Sequence, residues 1–257
     1  PFFAYIQAID IHESNIFSFD LVNNKEMKNQ ETEIAHKCMK AIARKRKLKH
    51  GNIFYDAGIR YMDYQVEKLY KYLKDKGILD NTIIVITADH AHKSPNIPVR
   101  DINFGASFFD ELFRIPIIFD HTNFESNRYN GFVSSIDIAP TVLKFAGFDI
   151  PNTFRGKVIE FDNPEQQIHV QMENQGMGPY DPIYKDTNIC VRTSKYKIVY
   201  VSPSPSKSKP SYLKEIYDLV DDPNEYINLV DEIEFNEEIN NSINIAKARI
   251  SDIRKQS

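Results

Sequence analysis

The sequence predicts an α/β layered fold that gives way to a small antiparallel sheet with a terminal helix. Three observations carry this. Ile59, Met62, Val66, Leu69 and Leu73 recur at steps of three and four, the stripe of an amphipathic helix. Gly77, a turn at Asp80-Asn81 and the β-branched run Thr82 to Thr87 follow at once. That run does not alternate, which predicts a strand covered on both faces in a parallel sheet. From about residue 165 the apolar pattern becomes alternating, as in half-buried antiparallel strands.

The elements follow in order. Phe2-Phe3-Ala4-Tyr5-Ile6 predicts a short buried strand running into Asp10-Ile11-His12. Residues 24–50 are dense in charge and amide, and Arg44-Lys45-Arg46-Lys47 reads as a solvated helix face sooner than as a binding patch. After the amphipathic stripe, Gly77 stands where a helix C-cap needs positive φ. A long loop spans 91–107, and Ile115 to Phe119 is a second apolar strand. Asp137 to Leu143 starts a short helix, with Asp137 or a neighbour as N-cap, Pro140 in the first turn and Gly147 beyond its end. Ile168 to Met172, Ile189 to Arg192, Lys197 to Val201 and Ile216 to Leu219 are the later strands, with an exposed loop over Ser202 to Ser211. Ile and Ala at helical spacing over 233–254 give the terminal helix. We divide the chain at residues 1–164 and 165–257.

The chain has 257 residues, enough for one large domain or two modest ones. Its 32 Lys+Arg against 36 Asp+Glu give a net charge of −4, which argues against gripping nucleic acid by its phosphates. No apolar run reaches membrane-spanning length. Cys38 and Cys190 are too few for a disulfide scaffold or a four-thiolate zinc site, and neither has an adjacent catalytic His. The chain opens on Pro1 and enters an apolar run without a basic leader, so we expect a piece of a longer polypeptide.

Ala88-Asp89-His90-Ala91-His92 follows the predicted central strand, where ligands bind in open α/β sheets. A hard divalent cation takes carboxylate oxygen, and an adjacent imidazole adds nitrogen. The plainer alternative for Asp89-His90 is a capping Asp beside a surface His. His12 sits at another predicted strand end. His92, Lys93 and Arg100 are each ordinary surface polarity when taken singly. Together they would form a positive rim for an anionic substrate. No Walker, dinucleotide or nucleophile-elbow motif occurs.

Taken in order, the segments resemble the carboxyl half of a sulfatase, within the alkaline phosphatase superfamily. Pro1 to His12 is similar to the strand leading into the family's H-x-P-H loop, with Ile9 and Ile11 at its first His and its Pro. Tyr55 to Leu73 resembles its Y-x-x-x-I-x-x-M-D helix. Gly77 to His90 follows G-x-x-D-N-T, a hydrophobic run and S-D-H/N, with Ala88 for the usual Ser. Arg114 to Ile118, Asp137 to Leu143 with Ala146-Gly147, Val191 to Lys197, and Tyr217 to Leu229 resemble R-V-P-L-I, D-I-x-P-T-L-L…A-G, R-T…Y-K and Y-D-L…D-P-x-E…N-L.

The resemblance implies an alkaline-phosphatase-like mixed sheet sandwiched by helices, plus a small C-terminal antiparallel sheet. It implies metal-dependent hydrolysis of sulfate esters, with small-molecule or glycan sulfates as substrates. Asp89 and His90 match one pair of metal ligands, commonly for Ca²⁺, with Mn²⁺ or Mg²⁺ as alternatives. His12 matches the final His of H-x-P-H, which contacts the sulfate or the leaving oxygen. A Lys usual before the R-V-P strand is missing, and Lys93 or Arg100 is the candidate for its sulfate contact. The formylglycine nucleophile and the other metal aspartates are expected upstream, in a missing N-terminal half, so the chain alone is expected to be inactive. Two alternatives stay open. One is a phosphodiester or phosphonate hydrolase, or a phosphoethanolamine or glycerol-phosphate transferase, of the same superfamily. The other is a non-catalytic binding relative.

Overall fold

The computed structural model describes residues 2–8, 53–91, 107–163, 167, 169–174, 186–204 and 207–256. The basic run at residues 44–47, Cys38 and the rest of the charged stretch 24–50 lie outside them. The chain divides into two compact units. The first is Pro1–Ile84 with His92–Val99 and Phe119–Asn123; the second is Val85–Ala91 with Arg100–Ile118 and Phe124–Ser257.

In the first unit, the expected stripe forms helix α1 (Ile53–Asp75). Leu73 is buried, Met62, Val66 and Leu69 are half-buried, and Ile59 is exposed. Gly77 takes φ +67° and closes the helix end, as expected. Its N–H donates to the Lys74 carbonyl at 2.9 Å, and the Ile78 N–H donates to the Leu73 carbonyl at 3.0 Å. These two bonds satisfy carbonyls that the helix itself leaves orphaned. A 3₁₀ turn, Leu79–Asn81, follows where Asp80-Asn81 predicted a turn. Tyr70 donates to the Asp120 carboxylate at 2.6 Å. Phe2 to Ile6 differ from expectation. They form no strand, and Phe3 is 85% exposed, because no partner strand pairs with them among the described residues.

The run Thr82–Thr87 yields strand β1 (Ile84–Thr87), paired with β2 (Ile117–Asp120) in a two-stranded sheet. β1 was expected to be covered on both faces. It is only half-buried over Ile84 to Ile86, and Thr87 is exposed, since each strand has one neighbour among the described residues. The short helix α2 (Asp110–Phe113) precedes β2.

In the second unit, helix α3 (Ile138–Phe145) carries Pro140 in its first turn and ends at Gly147 with φ +78°. Asp137 was a candidate cap for this helix, but its side chain makes no capping bond to it. The carboxylate instead closes a capping box with Ser134 around the 3₁₀ turn Ser135–Asp137. It also accepts the Lys157 N–H at 2.8 Å and the Gln167 amide at 2.7 Å. Gly156 is required by close approach: a Cβ there would lie 2.0 Å from the Ile136 carbonyl oxygen.

Strands β3 (His169–Asn174), β4 (Thr187–Thr193), β5 (Tyr196–Ser202) and β6 (Tyr212–Asp218) form an antiparallel meander in that order. Helix α4 (Glu237–Gln256) packs on one face. Ile189, Val191, Ile198 and Ile216 meet Ile239, Ile243, Ala246 and Ile250 there. The alternate side chains Cys190, Val199 and Val201 face the other way and pack with Phe108. Both faces of β5 are therefore covered, and all seven residues are buried rather than half-buried. On β6, the Ile216 N–H donates to Asn228 Oδ1 at 2.9 Å, and the Ile216 carbonyl accepts the Leu229 N–H at 2.8 Å.

Candidate functional site

Chain geometry at the end of β1 brings two donor atoms together. After Thr87, whose hydroxyl donates to the Pro116 carbonyl at 2.9 Å, the backbone bends through Asp89 and His90. The bend lets adjacent side chains face the same way, which a regular strand forbids. The His90 N–H donates to Asp89 Oδ1 at 2.8 Å, which fixes the carboxylate. His90 Nδ1 lies 2.9 Å from the Ala91 carbonyl. A carbonyl only accepts, so Nδ1 carries the proton and Nε2 the lone pair. Asp89 Oδ2 then stands 3.9 Å from His90 Nε2.

That span fits two ligands of one ion. Donors at about 2.1–2.5 Å from a shared cation lie roughly 3–4 Å apart. Both side chains are accessible, at 71% for Asp89 and 44% for His90. Hydrogen bonding of the distal imidazole nitrogen to a carbonyl is the usual way to orient a metal-ligating histidine. Among the described residues there is no cluster of three or more such side chains, so this pair supplies part of a coordination shell. His12, Lys93 and Arg100 lie outside the described residues.

A second constellation escaped the sequence reading. Lys197, at the start of β5, is fully buried. Its ammonium donates to the Phe108 carbonyl at 2.9 Å, lies 2.5 Å from Asp110 Oδ1 and contacts Glu225. Arg192 adds Nε at 3.0 Å and Nη2 at 2.9 Å to the same Asp110 carboxylate. Glu225 Oε2 accepts the Asp110 N–H at 2.8 Å, and Glu225 holds φ +58°, which is strained for a residue with a Cβ. The two acids are not equivalent. Burial alone would raise Asp110, but Lys197 and Arg192 outweigh it and hold the carboxyl below its usual range. Burial outweighs Lys197 at Glu225 and pushes that carboxyl up. A Lys inside an apolar strand was the available signal. Its partners are too distant in sequence to be found by pattern.

Comparison with known proteins gives two overlapping family matches. The Sulfatase model matches residues 1–148, and the model for N-sulphoglucosamine sulphohydrolase, C-terminal, matches residues 105–256. An arylsulfatase of Clostridium perfringens is 26% identical over 231 residues, covering 86% of this chain and 44% of that protein. A choline-sulfatase of Rhizobium meliloti is 26% identical over 182 residues, covering 69% of this chain and 32% of that protein. A protein solved in complex with its substrate D-glucosamine-2-N,6-O-disulfate superposes with TM-score 0.54 at 22% identity. That alignment covers 84% of this chain and 45% of the solved one. The chain thus spans less than half the length of these relatives.

Proposed function

This chain belongs to the sulfatase family, and from that premise we propose that it is the carboxyl-terminal part of a metal-dependent hydrolase of sulfate esters. Residues 1–164 would belong to the catalytic α/β domain and 165–257 to a C-terminal subdomain. The observation that carries the reading is the approach of Asp89 Oδ2 and His90 Nε2 to 3.9 Å at the exit of β1.

In this reading Asp89 and His90 hold a divalent ion, Ca²⁺ in preference to Mn²⁺ or Mg²⁺. When bound, such an ion neutralises charge on sulfate oxygens and polarises the ester. Asp89 supplies the oxygen and the net negative charge that a hard cation prefers. His90 presents its Nε2 lone pair because Ala91 keeps the proton on Nδ1. His12 would contact the sulfate or the leaving oxygen, and Lys93 or Arg100 would add positive charge to the anion. The formylglycine nucleophile would come from residues preceding this chain. A sulfated sugar is the favoured substrate class, supported by the glucosamine disulfate bound to the solved relative.

The test is an assay of the full-length polypeptide on aryl sulfate, aryl phosphate and aryl phosphonate, with and without metal. Metal-dependent release from the sulfate ester supports the reading. Turnover of phosphonate with none of sulfate overturns it.

A further inference from the structure

We propose that Lys197 is a positioning residue for the His90 imidazole, acting through Asp110 and the short helix α2. The inference rests on the metal reading of Asp89 and His90 given above. A four-residue helix has too few internal bonds to hold itself in place, so α2 is set by what grips its ends. Lys197 grips the start. It binds the Phe108 carbonyl at 2.9 Å and the Asp110 carboxylate at 2.5 Å, while Glu225 takes the Asp110 N–H at 2.8 Å. Phe108 and Leu112, on either side of this anchor, are each 2% exposed.

The far side of α2 reaches the site. The Leu112 carbonyl accepts the Ala91 N–H at 2.8 Å, and the Ala91 carbonyl holds His90 Nδ1 at 2.9 Å. A continuous path therefore leads from a buried ammonium in the C-terminal sheet to the tautomer and aim of the candidate ligand. Its links are the Lys197–Asp110 ion pair, α2 itself, the backbone bond from Ala91 to Leu112 and the His90 bond to the Ala91 carbonyl. The cost of burying Lys197 among charges, and of holding Glu225 at positive φ, is then tied to the geometry of the site.

The experiment uses the full-length polypeptide with ¹⁵N-labelled histidine. It reads the His90 ring nitrogens by NMR and Mn²⁺ affinity by electron paramagnetic resonance. The unchanged protein should show the Nδ1–H tautomer. Lys197→Met should mix the two tautomers and weaken Mn²⁺ binding by about tenfold. Arg192→Gln, at a partly exposed side chain on the same Asp110, should move both readouts in the same direction and serves if Lys197→Met does not fold. Unchanged His90 signals and unchanged affinity in a cooperatively folding variant overturn the proposal. Should the unchanged protein take up no Mn²⁺, the metal reading fails, and the ring-nitrogen signals still decide the role of Lys197.

Discussion

The Asp137 carboxylate accepts the backbone N–H of Lys157 at 2.8 Å, a bond that spans twenty positions and ties the segment after α3 to the turn before it. With Ser134 and Gln167 also bound, removal of this buried group orphans several donors at once. Asp137→Ala should destabilise the protein by at least about 2 kcal/mol in urea melts. Asp137→Asn, which keeps one acceptor oxygen, should cost less. A loss under about 0.5 kcal/mol for the alanine variant would contradict the assignment.

Asp89 and His90 should matter for chemistry and hardly at all for stability, since both are exposed. In the full-length protein, Asp89→Asn should lower metal affinity and kcat/KM by about 100-fold or more, beyond the loss typical of an indirect partner. Melting temperature should stay within a few degrees. Chelation should abolish turnover, and added Ca²⁺ should restore it. Full activity after exhaustive chelation would remove the metal from the mechanism.

Glu173 on β3 receives Arg249 from α4 at 2.6 and 3.0 Å and Arg155 at 3.3 Å. The Arg249 bonds, aided by Arg155 and opposed by partial burial, hold the carboxyl below its ordinary value of 4.5. A lowered folded-state value means that the unfolded chain binds the proton first. The contribution of Glu173 is therefore complete above pH 4.5 and fades as the pH falls below it. Glu173→Gln should lower stability at neutral pH and flatten the acid limb of the stability curve. An unaltered acid limb would show that the pair is silent.

Cys190 is fully buried, and that burial pushes its thiol from 9.0 up to about 12. Followed by peptide mass spectrometry, Cys190 should stay unmodified by a thiol reagent at pH 8 in the native protein and react fully once the protein is denatured. Prompt modification of the native state would refute the packing of Cys190 with Val199, Val201 and Phe108.

Ile239 on α4 is 0% exposed and packs against the β4–β6 face. Ile239→Ala should cost about 2–5 kcal/mol, combining lost burial with a cavity. A cost below 1 kcal/mol, by the same melts, would mean that α4 is not seated on the sheet.

Local pattern made much of this architecture legible. The α1 stripe, the Gly77 and Gly147 ends, the β-branched run and the alternating strands all read directly, because each is a short-range rule. Asp89-His90 was legible for the same reason: two neighbours at a strand exit. Three features were not. Phe2 to Ile6 looked like a strand from composition, but a strand exists only with a partner to pair with. The full burial of β5 depends on α4 and Phe108, which lie far from it in sequence. The Lys197–Asp110–Glu225 cluster is assembled by tertiary structure alone, so its members look like ordinary charges until the chain is folded.

The loop that returns after β6 occupies the outward N–H and C=O of Ile216 with Asn228 and Leu229. Groups of this kind are what a stray extended peptide would recognise when it adds itself to a sheet. With them already engaged inside the same molecule, this margin of the meander offers no template at Ile216 for strand recruitment, and aggregation through that border is disfavoured.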